Sequence, residues 1–199
     1  LLENQVKALV ATSALGMGFD KPDLGFVVHF QMPGSVVTYY QQVGRAGRAL
    51  DDAYGILLHG RGDTDITTWF INAAFPARDE VELILKELRD APDGLSVVDL
   101  ERRANLRRGR ITHALLLLGL ESPSPIAKEG AKYLLSPAAL PEAFWDRVTR
   151  ITNIRETEQA QMQASAVLPF GAHMRFLVDA LDGPMPQTRF VLKKSLDRL

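Results

Sequence analysis

The chain has 199 residues, 46% apolar and 24% charged, with a net charge of −1 and no cysteine. This length carries one ample domain or two or three small ones, and the composition excludes a disordered or fibrous chain. The lack of cysteine excludes disulfides and cysteine-based zinc sites and is compatible with a cytoplasmic location, while the near-neutral charge requires any nucleic-acid contact to come from local clusters. No apolar run reaches about 18 residues, so no transmembrane helix and no membrane partner are expected. Leu1-Leu2-Glu3-Asn4-Gln5 has neither the form of a signal peptide nor an initiator Met, so the chain is expected to begin inside a longer polypeptide.

From Val6 to about Phe75, short apolar runs at Val6–Ala11, Phe26–Phe30 and Tyr54–Leu58 each lead into a cluster containing glycine. Such runs read as buried strands. Ser35 to about Arg48 has helical content, and strands alternating with helix predict an α/β fold with a mostly parallel sheet.

The pattern changes at Asp79. Asp79-Glu80-Val81-Glu82 has the form of a capping box, and Val81, Ile84, Leu85 and Leu88 recur at the spacing of one helix face. Ala91-Pro92-Asp93-Gly94 stops this helix. Ser96 is placed to cap a second helix carrying Val98 and Leu100. A third, from Arg110 to Leu118, turns Ile111, Ala114, Leu115 and Leu118 inward. Ile126 and Tyr133-Leu134-Leu135 flank Glu129-Gly130, a predicted tight hairpin. Helices followed by a hairpin give the order of a winged helix-turn-helix.

Leu140-Pro141 opens the last region, with proline at a first helical position. A long helix is expected from Pro141 to about Ala164, broken at Pro169-Phe170-Gly171, with another from Met174 to Leu181. Phe144, Trp145, Val148, Ile151 and Met162 on the first are expected to pack with Phe176 and Leu177 on the second. The expected division is therefore an α/β lobe over 1–76, a winged helix over 77–138 and a helical hairpin over 139–199.

Two stretches carry chemistry. The first is Ala11-Thr12-Ser13-Ala14-Leu15-Gly16-Met17-Gly18-Phe19-Asp20-Lys21-Pro22-Asp23, and the second is Tyr39-Tyr40-Gln41-Gln42-Val43-Gly44-Arg45-Ala46-Gly47-Arg48. A strand ending in Thr-Ser before glycines offers hydroxyls and backbone N–H groups suited to phosphate oxygens. Gly16 and Gly18 allow close backbone approach. Arg45 and Arg48 sit three apart, one helical turn, and are expected to point the same way toward a transferring phosphate.

Together these stretches resemble motifs V and VI of superfamily 2 helicases, and the RecQ family in particular. The resemblance implies a partial RecA-like lobe of an ATP-dependent, 3′-to-5′ DNA helicase. It implies that Arg45 and Arg48 face ATP held between two lobes and that Gln41 couples nucleotide state to lobe closure. Gly16, Gly18 and Asp20 would line the nucleotide side, and Thr12 and Ser13 would touch the DNA backbone. Neither the Walker A sequence nor the family's Asp-Glu-x-His magnesium motif occurs in the chain. The chain alone is therefore expected not to hydrolyse ATP: ATP and Mg²⁺ would sit mainly on a first RecA-like lobe of the same polypeptide.

Arg102, Arg103, Arg107, Arg108 and Arg110 cluster at the turn into the third predicted helix, where a helix-turn-helix presents its recognition helix to DNA. The competing reading is a solvated basic face, or salt bridges to Glu101 and nearby acids. The hairpin tip, Lys128-Glu129-Gly130, has no aromatic residue at its apex, and Tyr133 is expected in the core.

The stretches Glu156–Met162, Ala172–Leu177 and Leu181–Pro184 resemble the helical zinc-binding region of RecQ proteins without its cysteines. Ala172 stands where the first cysteine would be, and His173 is a lone histidine, so no zinc is expected. His29, His59 and His113 are scattered and are expected to be structural. The partner the resemblance implies is DNA at single-strand/duplex junctions, in a cytoplasmic protein, nucleoid-associated if bacterial. The rival is a non-enzymatic DNA- or partner-binding winged helix on a degenerate motor remnant. A further rival is an RNA helicase.

Overall fold

The computed structural model describes residues 5–12, 20–60, 62–169 and 171–181, and the backbone of 189–193. In chain order its elements are β1 (Phe26–His29), α1 (Val36–Val43), β2 (Asp52–Leu57), α2 (Asp63–Ala73), α3 (Arg78–Arg89), β3 (Leu95–Ser96), α4 (Val97–Ala104), α5 (Arg108–Gly119), β4 (Ile126–Glu129), β5 (Lys132–Leu135), α6 (Glu142–Ala166), α7 (His173–Ala180) and β6 (Arg189–Lys193). Contacts divide the chain into two units, where the sequence suggested three consecutive segments. One unit takes in Leu1–Trp69 and Asn153–Leu199, and the other is the intervening Phe70–Thr152.

The first unit is built on a parallel sheet in the order β1-β2-β6. Phe26 pairs with Tyr54 and His29 with Leu57, which puts Ala53 and Leu57 on a buried face. Val36, Tyr39 and Val43 of α1 pack there with Leu57, Met162 and Ala166 of α6, and Leu177 of α7. Ser35 starts α1, its hydroxyl accepting from the Thr38 N–H at 3.2 Å. The opposite face of the sheet carries Phe26, Val28 and Tyr54, all exposed. Parallel sheets are ordinarily covered on both faces. The tail, whose role the sequence left open, supplies β6 alongside β2.

The expected strand at Val6–Ala11 does not form. Leu9 and Val10 are 52% and 99% exposed, so the run buries no face that would hold it in a ladder. A second correction concerns α6, which does not pack as one surface. Its first turns place Trp145 against the core of the second unit, while Met162 and Ala166 belong to the first. Ile151, near the division, is 37% exposed.

In the second unit, α3, α4 and α5 bury Val81, Ile84, Leu88, Leu100, Ile111, Ala114, Leu115 and Leu118 in one cluster with Leu95 and Ile126. The small sheet is antiparallel in the order β3-β5-β4. β3 is too short to have been visible as a sequence pattern; it continues directly into α4. Ser96 caps α4, its hydroxyl accepting from the Asp99 N–H, and Asp99 accepts in return from the Ser96 N–H at 3.0 Å. The Ser96 hydroxyl also donates to Asp99 Oδ2 at 2.6 Å, and that bond, together with the one from the Ser96 N–H, holds the Asp99 carboxyl below its ordinary range. Asn105 ends α4 in the left-handed region at φ 51. The box expected at Asp79–Glu82 falls inside the helix: the cap is Ala77, which has no side-chain acceptor, and Glu80 accepts the Ala77 N–H at 3.3 Å. Among the described residues, no helix is long and apolar enough to cross a membrane.

Candidate functional site

The helix that leads to the two arginines stops before it reaches them. α1 ends at Val43, and the Gly44 N–H closes it on the Tyr40 carbonyl at 2.9 Å. A Cβ on Gly44 would approach that carbonyl to 3.0 Å. Gly47 then takes φ 78, a conformation open chiefly to glycine. Arg45 and Arg48 therefore do not share a helical turn, contrary to the spacing argument. They leave from successive turns of a loop.

That loop is fastened to the other motif. The Gly47 N–H donates to the Leu24 carbonyl and the Ala49 N–H to the Pro22 carbonyl, each at 2.9 Å. Arg48 Nη1 donates to Asp20 Oδ1 at 2.8 Å. Lys21, buried, pairs with Asp23 in the same turn. Segments far apart in sequence thus form one surface edge, with Ala46 buried beneath it. Arg48 and Asp20 are 47% and 65% exposed. Such a pair contributes only about 0–1 kcal/mol, so a phosphate can take the carboxylate's place. This is the observation on which the fit of a nucleotide phosphate to these residues rests.

The other expected members of this site lie as follows. Gln41 is exposed on α1, Arg45 is half-buried with its N–H on the Gln42 carbonyl at 3.4 Å, and Thr12 is exposed. Ser13, Gly16 and Gly18 lie outside the described residues.

The structure also brings His29 and Gln42 together, a contact that the sequence did not indicate. His29 Nε2 meets Gln42 Oε1 at 2.5 Å, while His29 Nδ1 is buried and has no hydrogen-bond partner among the described residues. Burial pushes the His29 pKa down, against the opposing effect of the Gln42 bond. Tyr39 packs on it, and burial pushes its hydroxyl up to about 12. The available signal was a polar residue closing an apolar strand, which also fits a purely structural histidine.

In the second unit the five arginines separate into two groups. Arg103 pairs with Glu87 at 3.2 Å, and Arg110 is held by Glu80 through both Nε and Nη2. Their partners lie on α3, not at neighbouring Glu101, because helix packing and not sequence proximity decides who meets whom. Arg102, Arg107 and Arg108 are exposed and make no salt bridge among the described residues. Arg107 is the N-cap of α5 and Arg108 its first residue, with no acid in the first turn. Cations at a helix N-terminus oppose the helix dipole, and a bound anion relieves both. The hairpin turns at Gly130, φ 59, and Lys128 Nζ lies 5.5 Å from the centre of the Tyr133 ring, which packs partly against the core.

His173 is buried with its Nδ1 unpartnered among the described residues, and burial lowers its pKa. Among the described residues no three His, Asp or Glu side chains come together as metal ligands.

Residues 2–50 match the family described as helicase conserved C-terminal domain. The chain is 52% identical over 60 residues to ATP-dependent DNA helicase Q1 of Mus musculus, covering 30% of this chain and 9% of that protein. It is 33% identical over 87 residues to a probable ATP-dependent DNA helicase RecS of Bacillus subtilis, covering 44% and 18%. The N-terminal segment is thus similar to the C-terminal helicase region of RecQ-type proteins. ATP-dependent DNA helicase RecQ of Synechocystis is similar over 94 residues at 33% identity, covering 44% of this chain and 20% of that one. The chain thus spans a fifth or less of the length of these RecQ-type relatives.

Proposed function

We propose that this chain is the C-terminal part of the motor of an ATP-dependent DNA helicase that unwinds duplex DNA during repair or recombination. The carrying observation is the joining of the two motifs at one exposed edge, with Arg48 on Asp20 and Gly47 on Leu24. In this reading Arg45 and Arg48 are arginine fingers to ATP bound with Mg²⁺ mainly by a first RecA-like lobe. Gln41 relays nucleotide state, and Gly16, Gly18 and Asp20 line the nucleotide. ATP supplies the phosphoryl group whose developing charge the guanidiniums offset. The exposed sheet face with Phe26, Val28 and Tyr54 supports the presence of further lobe elements in the working protein.

Thr12 and Ser13 contact the DNA backbone on the other side of the motor. The second unit acts as a winged helix whose α5 meets DNA. There Arg107, Arg108 and Arg102 make the phosphate contacts, while Arg103 and Arg110 brace α5 on α3. The 3′-to-5′ direction rests on the RecQ resemblance.

The test is unwinding by the complete polypeptide on matched DNA and RNA forks with 3′ or 5′ tails. ATP-dependent opening of the 3′-tailed DNA fork is expected. DNA binding without ATP turnover would favour a winged-helix binding module on a motor remnant.

A further inference from the structure

His29 ends β1 with its ring against Tyr39, ring centroids 5.1 Å apart. Its backbone carbonyl is fixed by the Leu58 N–H at 2.8 Å, so the residue is anchored to the strand end. Its Nε2 meets the side chain of Gln42, in the last turn of α1. The Gln42 carbonyl in turn accepts the N–H groups of Gly44 and Arg45. One residue therefore has its side chain held by the sheet and its carbonyl held by the arginine loop.

Packing alone does not account for a histidine here. With Nε2–H donating to the Gln42 amide oxygen, the neutral ring leaves Nδ1 as a bare acceptor, and that atom is buried without a partner among the described residues. An unsatisfied buried polar atom is unfavourable, and Leu would fill comparable space beside Tyr39 without one. What the histidine adds over Leu is a directed bond that restricts Gln42 to one orientation.

Resting on the reading of Arg45 as a nucleotide-facing group, we propose that His29 is a positioning residue for ATP hydrolysis, holding Gln42 and through it the point where Arg45 leaves α1. A guanidinium misplaced by an ångström loses much of its effect on the transition state, while ground-state binding of ATP through other groups persists. The defect should therefore fall on kcat and not on KM.

The test uses the complete polypeptide and compares His29→Leu, His29→Gln, Gln42→Met and the His29→Leu/Gln42→Met double variant. DNA-stimulated kcat, the KM for ATP and thermal melting are measured for each. His29→Leu and Gln42→Met are each expected to lower kcat roughly 10- to 100-fold. The double variant should be no worse than either single one. His29→Gln, whose amide N–H reaches for the same acceptor, should recover most of the loss. Additive losses, losses that track melting temperature, or normal turnover in the single variants would overturn the proposal. If His29→Leu fails to fold, Gln42→Met against His29→Gln still decides. Arg45→Ala measured in parallel separates the two claims. Normal turnover there defeats the nucleotide reading itself, whereas an inactive Arg45→Ala beside a fully active His29→Leu defeats only the positioning role.

Discussion

Arg48 holds Asp20 at 2.8 Å, joining the segment before β1 to the loop after α1 across 28 residues of sequence. The pair is exposed, so its worth to folding is small, about 0–1 kcal/mol. On the present account Asp20 holds the guanidinium ready at this edge until a phosphate takes the carboxylate's place. Asp20→Ala is therefore expected to leave melting nearly unchanged while lowering DNA-stimulated ATPase in the complete polypeptide. A parallel fall in both would make the pair a structural one.

The second-unit arginines should behave as two populations. Replacing Arg107 and Arg108 with Gln should weaken DNA binding and lower the salt slope of log affinity by about 1 per arginine, with little change in melting. Replacing Arg110, forked onto Glu80, should lower melting more than either, because it removes a brace between α3 and α5. Salt titrations of DNA binding and melting curves on the same variants check both statements. Equal effects of Arg107 and Arg110 on binding would contradict the division.

Gly94 is a sharper stability probe. It sits at φ 74, and an added Cβ would come to 2.9 Å from the Tyr133 carbonyl and 3.0 Å from Leu134. Gly94→Ala should destabilise the second unit by about 1–3 kcal/mol from strain alone. Gly109→Ala, on α5 with nothing within 4 Å of the added atom, should be neutral or stabilising. Thermal melting of the two variants gives the comparison.

Acid should weaken the first unit through half-buried His29 and buried His173. Burial lowers the pKa of both His29 and His173 below the ordinary value of 6.5. Between that value and the lower folded ones, the unfolded chain binds protons that the folded chain does not, so stability falls as pH falls through this window. Below the folded values both states are protonated and the loss is complete. Denaturant unfolding from pH 7 to pH 5 should show this decline. The slope should be smaller in His173→Asn, and a flat profile would contradict it.

Much of this architecture was legible in the sequence, for physical reasons that differ by region. The helix faces of α3 and α5 were readable because Val81, Ile84 and Leu88, or Ile111, Ala114, Leu115 and Leu118, repeat at the helical period and are buried. The strand at Val6–Ala11 was misread because apolar content does not say whether a face will be covered. The arginine loop was identified by residue type but not by shape. A spacing of three suggests a helical turn, whereas Gly44 and Gly47 end the helix and reverse the chain. Partners brought together by tertiary packing, such as Arg110 with Glu80 or His29 with Gln42, leave no local pattern to read.

The central claim is that Arg45 and Arg48 act on a nucleotide completed by a neighbouring lobe. Its most direct test is the DNA-stimulated ATPase rate of Arg45→Ala and Arg48→Ala in the complete polypeptide, measured beside DNA affinity. The account predicts that turnover falls by roughly 10³-fold or more, in line with arginine fingers elsewhere, while DNA affinity stays near that of the unaltered protein. Normal turnover in both variants would contradict it.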